Sequence, residues 1–98
     1  MEKLTYLILD WADEKGILDK ATPEKQFLKL AEEVGELASG MAKNNEEEIK
    51  DAIGDCVVVL TILSNMLALN IDDCTQSAYD VIAKRKGKMV DGVFIKEN

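Results

Sequence analysis

Apolar residues recur at Phe27, Leu30, Ala31, Val34, Leu37, Ala38 and Met41, with polar and charged residues filling most of the gaps. Steps of three and four place all seven on one stripe of an α-helix, since each residue advances about 100° around the axis. Thr22 and Pro23 open that helix: a threonine oxygen caps exposed amides, and proline at the first helical position gives up an amide that has no internal partner. Leu4, Leu7, Ile8 and Trp11 predict an earlier helix over residues 3–15, closed by Gly16. The segment KNNEEE interrupts the long stripe. Asn44 or Asn45 terminates or caps there, and three glutamates suit the positive end of the next helix. That third helix is predicted over residues 46–69. Its centre, residues 53–63, is apolar on every side except at Gly54, Asp55 and Thr61, which implies several neighbouring helices. A second copy of so small a chain is the natural source of some of them.

Asn70 or Asp72 starts a fourth helix, with Cys74, Ala78, Val81 and Ile82 as its inward residues. Lys84, Arg85 and Lys86 fall in its last turn before Gly87, where cations suit the helix dipole. The tail MVDGVFIKEN holds an Asp-Gly turn signal and an apolar patch at residues 93–95, predicting a strand-like arm that packs back or lies at a subunit contact. The elements together predict an all-α fold, a compact antiparallel helical bundle with a short C-terminal arm. A single domain over residues 1–98 is the expectation for this length.

Composition narrows the chemistry. A hydrophobic content of 47% with one proline and six glycines argues against a disordered acidic segment. Nineteen acidic against twelve basic residues give a net charge of -7, so no nucleic-acid polymer is expected as partner. A small phosphorylated ligand is compatible, because a divalent cation inverts the local field around carboxylates. Two cysteines and no histidine exclude a disulfide framework and the usual Cys/His zinc set. The start lacks a signal-peptide pattern, and CVVVLTIL, flanked by Asp55 and Asn65, is too short to span a membrane. The expectation is a cytoplasmic protein without a membrane partner.

The acidic residues are not scattered. Glu33 and Glu36 are three apart and Glu32 and Glu36 four apart, so they approach one another on a helix surface. Glu33 lies beside the Leu30/Leu37 stripe and Glu36 farther round. Glu48, Asp51 and Asp55, spaced three and then four, share one face of the next helix. Antiparallel packing that turned these two sides together would bring four or more carboxylates close, a repulsive arrangement without a cation or raised pKa values. Mg2+ is the first assignment for an all-oxygen site, with Mn2+ as a possible substitute and Ca2+ also compatible. Absence of histidine disfavours a di-iron carboxylate site built on Glu-x-x-His. A solvated acidic face is the ordinary alternative for such residues. Asp55 is the exception, since beside CVVVLTIL it requires a ligand, a partner or an opening to water. Gly35 and Gly54 read as points of close helix approach beside the carboxylates, and Trp11 and Tyr79 as core or interface aromatics, with stacking on a planar ligand ring as the alternative.

EEVGE at residues 32–36 and DAIGD at residues 51–55 resemble the MazG-like all-alpha nucleoside triphosphate pyrophosphohydrolases, a group that includes dimeric dUTPases and dCTP pyrophosphatases. The resemblance runs from LAEEVGEL through IKDAIGDCVVVLTILSNMLALNIDD to AYDVIAKRKGKMVDGVFIKE. The family pattern is EExxE followed by ExxD. Glu32, Glu33 and Glu36 match its first half and Asp55 its last aspartate, while the second-half glutamate falls at Ala52. The resemblance implies hydrolysis of a nucleoside triphosphate to a monophosphate and pyrophosphate, with Mg2+ held by Glu33, Glu36 and Asp55. Asp51, or Glu48 from one turn earlier, would replace the missing glutamate. Glu32, Glu33 and Asp51 are the catalytic candidates it implies, and Asp80, Lys84, Arg85 and Lys88 the nucleotide-binding candidates, with the three cations facing the phosphates. It further implies a homodimer or homotetramer whose subunits complete each other's nucleotide pocket. Ala52 suggests the alternative, a noncatalytic nucleotide-binding or helical assembly protein on the same scaffold.

Overall fold

The computed structural model describes residues 2–97. Its elements are α1 (Glu2–Glu14), α2 (Ile17–Lys20), α3 (Pro23–Ala42), α4 (Glu46–Met66), α5 (Ile71–Ile82), β1 (Gly87–Val90) and β2 (Val93–Lys96). The helix starts follow local chemistry. Lys25 N–H donates to Thr22 Oγ1 at 3.2 Å with Pro23 behind the cap. Glu48 N–H donates to Asn45 Oδ1 at 3.2 Å, while Asn44 takes the left-handed conformation (φ 54°) that stops α3. Asn70 Oδ1 accepts from Asp72 and Asp73 N–H at 2.8 and 3.2 Å. Each cap satisfies amides that the first helical turn leaves without a partner.

The one-turn α2 was not expected. Gly16, at φ 76°, ends α1 and Ile17 immediately starts another turn. The C-terminal arm is a two-stranded antiparallel hairpin with Val90 opposite Val93 and Gly87 opposite Lys96. Asp91 and Gly92 both have positive φ, 50° and 79°, as a two-residue hairpin turn requires. All eight strand residues are exposed.

The three-residue loop 43–45 folds α4 back along α3, and this pair forms the body of the bundle. Gly40 sets their separation: a Cβ there would lie 3.2 Å from both Glu48 Cβ and the Ile49 backbone nitrogen. The expectation for Gly35 and Gly54 is overturned, since both face open space. α1 lies across α4. Ala12, Ala52, Val59 and Ile62 are buried, together with Thr5, Thr61 and Ser64. The Thr61 hydroxyl donates to the Val57 carbonyl at 2.7 Å and the Ser64 hydroxyl to the Thr61 carbonyl at 2.9 Å, so both polar groups enter the core paired.

Two expected inward faces are corrected. On α1 the buried residues are Thr5 and Ala12, with Ile8 and Leu9 half-buried, while Leu4, Leu7 and Trp11 are exposed. Of the four residues expected inward on α5, only Cys74 is half-buried; Ala78, Val81 and Ile82 are exposed. The physical reason is shared: a single chain supplies too few helices to cover these stripes, and α5 leaves α4 at a bend of 103°. The long helices show the same deficit. Phe27, Val34 and Met41 on α3, and Ile53 and Leu60 on α4 with Leu67 at its C-cap, are exposed at intervals of seven residues. Among the described residues, no single helix is long and apolar enough to cross a membrane.

Candidate metal centre

The Gly40 contact fixes the register of the two long helices. Gly40 stands opposite Glu48 and Ile49. One turn back along α3 is Glu36, and the corresponding step along α4 reaches Ala52. About one further turn brings Glu33 level with Asp55. One carboxylate oxygen each from Glu33, Glu36 and Asp55 accordingly lies within 4.8 Å of the others.

These three carboxylates differ in environment. Glu33 is 5% exposed, Asp55 is half-buried and Glu36 is exposed. Glu33 Oε1 is 3.4 Å from Lys29 Nζ, whereas its Oε2 is buried and, among the described residues, has no hydrogen-bond partner. Lys29 Nζ also lies 3.9 Å from Glu32 Oε2. The Glu33 charge, followed by desolvation, pushes the Glu36 carboxyl above its ordinary value of 4.5. The Lys29 ammonium is held above its ordinary value by Glu32 first and then Glu33.

A buried carboxylate oxygen without a partner is costly, and three convergent carboxylates repel. Both features fit a hard divalent cation that prefers oxygen ligands. The pH dependence follows. Ionised Glu36 faces the Glu33 charge in metal-free protein, so its stabilising contribution is fully present below its unfolded value and is lost as pH rises through its raised folded value. Mg2+ should therefore raise the melting temperature by at least about 5 °C near neutral pH and have little effect at about pH 4. Glu36→Gln should remove most of that response. Equal responses in thermal melts at the two pH values would count against the assignment.

Ala52, 3% exposed, borders a cavity of 260 Å³ with Glu36, Ser39, Lys43, Glu48 and Asp51. Asp51 and Glu48 also border the adjoining groove that contains Asp55. Asp51 is exposed and outside the convergent trio. Glu48 is directed to Lys43, with Oε2 3.8 Å from Nζ. Glu32 is exposed on the rim.

The basic candidates lie elsewhere. Lys84 and Arg85 border a depression of 360 Å³ with Val81, Lys86, Lys96 and Glu97, and Lys88 is exposed on β1. Asp80 Oδ1 accepts from Gln76 Nε2 at 2.9 Å. Helix rise puts Asp55 roughly 16 Å from the end of α4 and Lys84 roughly 20 Å from the start of α5, and the two axes bend apart by 103°. Within one chain the basic cluster does not meet the carboxylates. Tyr79, on α5, is likewise remote, and both it and Trp11 are exposed. Sequence reading passed over Lys29, although its spacing of three and four from Glu32 and Glu33 is an available signal.

Comparison with known proteins adds to this geometry. The model of the MazG nucleotide pyrophosphohydrolase domain matches residues 21–90, a segment that contains α3, α4 and α5. An uncharacterized 18.2 kDa protein in the rep-hol intergenic region of Haemophilus phage HP1 (strain HP1c1) is 50% identical over 64 residues. Those residues are 65% of this chain and 39% of the phage protein, so the chain spans well under two thirds of that relative's length. No solved structure matches. With the carboxylate trio and its supporting helices all inside the matched segment, the chain belongs to the MazG nucleotide pyrophosphohydrolase domain family.

Proposed function

We propose that the chain hydrolyses a nucleoside triphosphate between its alpha and beta phosphates, releasing a nucleoside monophosphate and pyrophosphate, with Mg2+ as cofactor and Mn2+ as its substitute. The observation that carries this reading is the convergence of Glu33, Glu36 and Asp55 from two packed helices, within the segment that matches the family. These three residues would hold the cation. When bound, it supplies charge neutralisation on the phosphates and a lowered pKa for a bound water.

Asp51 is the proposed replacement for the absent carboxylate at residue 52. It borders both the Ala52 cavity and the Asp55 groove, whereas Glu48 is engaged with Lys43. Asp51 and Glu32 flank the trio from opposite helices as solvent-exposed carboxylates, so either can take a proton from the attacking water. Lys84, Arg85 and Lys88 are assigned to the phosphates of a nucleotide bound at a second copy's carboxylates, in a homodimer or a pair of dimers, with Asp80 one turn earlier as a further nucleotide-binding residue. Lys84 and Arg85, just past the end of α5, and Lys88 on β1 would then balance the charge that the trio alone repels.

Incubation of purified protein with ribo- and deoxynucleoside triphosphates, in Mg2+ or Mn2+, should yield monophosphate and pyrophosphate in equal amounts. Absence of turnover across the panel by folded protein would remove the proposal. Ala52 supports one second reading, a noncatalytic nucleotide-binding protein. Nucleotide binding without turnover in the same panel would favour it.

A further inference from the structure

Lys29 has no task in the chemistry above, yet its ammonium is the positive group in direct contact with a member of the trio. Its Nζ lies 3.4 Å from Glu33 Oε1 and 3.9 Å from Glu32 Oε2. The lysine side chain is 50% exposed and the Glu33 side chain only 7%, so a mobile, hydrated cation covers one oxygen of a buried carboxylate. The second oxygen, Oε2, is buried without a hydrogen-bond partner among the described residues. Lys29 sits one turn before Glu33 on α3, and its flexible four-carbon stem lets the head group leave without any backbone movement. A divalent cation held by the trio would repel an ammonium resting on one of its own ligands. Lys29 and a divalent cation therefore compete for the charge of Glu33.

We propose that Lys29 is a tethered stand-in cation: it holds Glu33 in its inward position before a divalent cation arrives, is displaced when that cation binds, and then donates to a phosphate oxygen of the substrate. The last step rests on the function proposed above; the first two do not. Displacement leaves the half-exposed ammonium at the solvent edge of the cluster, free to meet an anion. The lysine thus weakens cation binding and strengthens nucleotide binding, opposite effects that no purely structural role would combine.

The test uses the full chain and two lysines. Mn2+ binding is titrated without nucleotide, following free Mn2+ by electron paramagnetic resonance, for the unmodified protein, Lys29→Met and Lys25→Met. Lys25, one turn earlier on the same helix, controls for the general loss of a positive charge. Lys29→Met should bind Mn2+ about tenfold more tightly and Lys25→Met less than about twofold more tightly. At saturating Mn2+, affinity for an alpha,beta-methylene nucleoside triphosphate should fall about tenfold in Lys29→Met and be retained in Lys25→Met. Unchanged or weaker Mn2+ binding by Lys29→Met, or an effect matched by Lys25→Met, overturns the displacement. Tighter Mn2+ binding with unchanged nucleotide affinity overturns the phosphate contact. Because the Mn2+ titration contains no substrate, its result stands apart from whether the protein turns over a nucleotide.

Discussion

Asp55→Ala and Glu36→Ala should each lower turnover by at least about a hundredfold, with the helical circular dichroism signal retained. Both parts of this expectation follow from position. Asp55 is half-buried and Glu36 exposed, so neither side chain fills the core formed by Ala12, Ala52, Val59 and Ile62. Each supplies one of the three carboxylates that converge among the described residues, and a site with so few protein ligands has little redundancy. Glu36→Ala also removes the repulsion of Glu36 with Glu33 and Glu32, so that metal-free variant is not expected to melt earlier on electrostatic grounds. Asp51→Asn belongs in the same series, as a test of whether that residue serves in place of a glutamate at residue 52. Variants of Glu36 and Asp55 that kept both turnover and its metal dependence would rule out these two ligands.

The second large effect concerns assembly. Glutamate introduced at Ile53 or Leu60 should convert an oligomer into a 10.9 kDa monomer and abolish turnover. In one chain Ile53, Leu60 and Leu67 stand exposed at steps of seven, Ile53 to 51%, and Phe27, Val34 and Met41 repeat the pattern on α3. A seven-residue apolar repeat makes a narrow seam that another helix covers by interlocking side chains. Covering one Leu or Ile contributes about 1.5–3 kcal/mol, whereas a buried, unpaired carboxylate costs several kcal/mol, so one substitution is enough to reverse the balance. Turnover should be lost as well if the pocket is shared as proposed, because Lys84 and Arg85 lie too far from Asp55 to serve the carboxylates of their own chain. Light scattering at several concentrations, down to that of the assay, decides the matter: an unmodified protein that stayed active at 10.9 kDa throughout would defeat the assembly and the shared pocket together.

Where the chain's local chemistry dictates structure, the sequence is legible. Thr22-Pro23, Asn45, Asn70 and Asp91-Gly92 act within a few residues of themselves, and each starts or turns an element at the expected place. The acidic motifs are legible for a related reason, since helical spacing alone puts Glu33 and Glu36 on one side and leaves Asp55 beside the apolar run. Burial is less so. Periodicity identifies an apolar stripe but not the molecule that covers it, which is why Leu4, Leu7 and Trp11 read as inward and yet lie exposed on α1. Close approach is equally hidden: Gly35 and Gly54 adjoin the carboxylates in sequence, but contact between the helices is made at Gly40. Such a contact depends on the relative position of two helices, a quantity that no single segment encodes.

That contact bears on ion choice. The three carboxylates all come from helices and none from a loop, so the width of the gap they span follows from how far apart α3 and α4 lie. Gly40, one turn from Glu36, pins that separation against the Ile49 backbone nitrogen, which cannot move aside as a side-chain tip would. Oxygen ligands stand about 0.3 Å farther from Ca2+ than from Mg2+. An added methyl at residue 40 displaces its neighbours by a comparable distance. For a cation held by the trio, the helix pair would thus act as a caliper with its adjusting screw outside the three carboxylates, and the preference for a small or a large cation could drift in descendants of this chain while every carboxylate stayed in place.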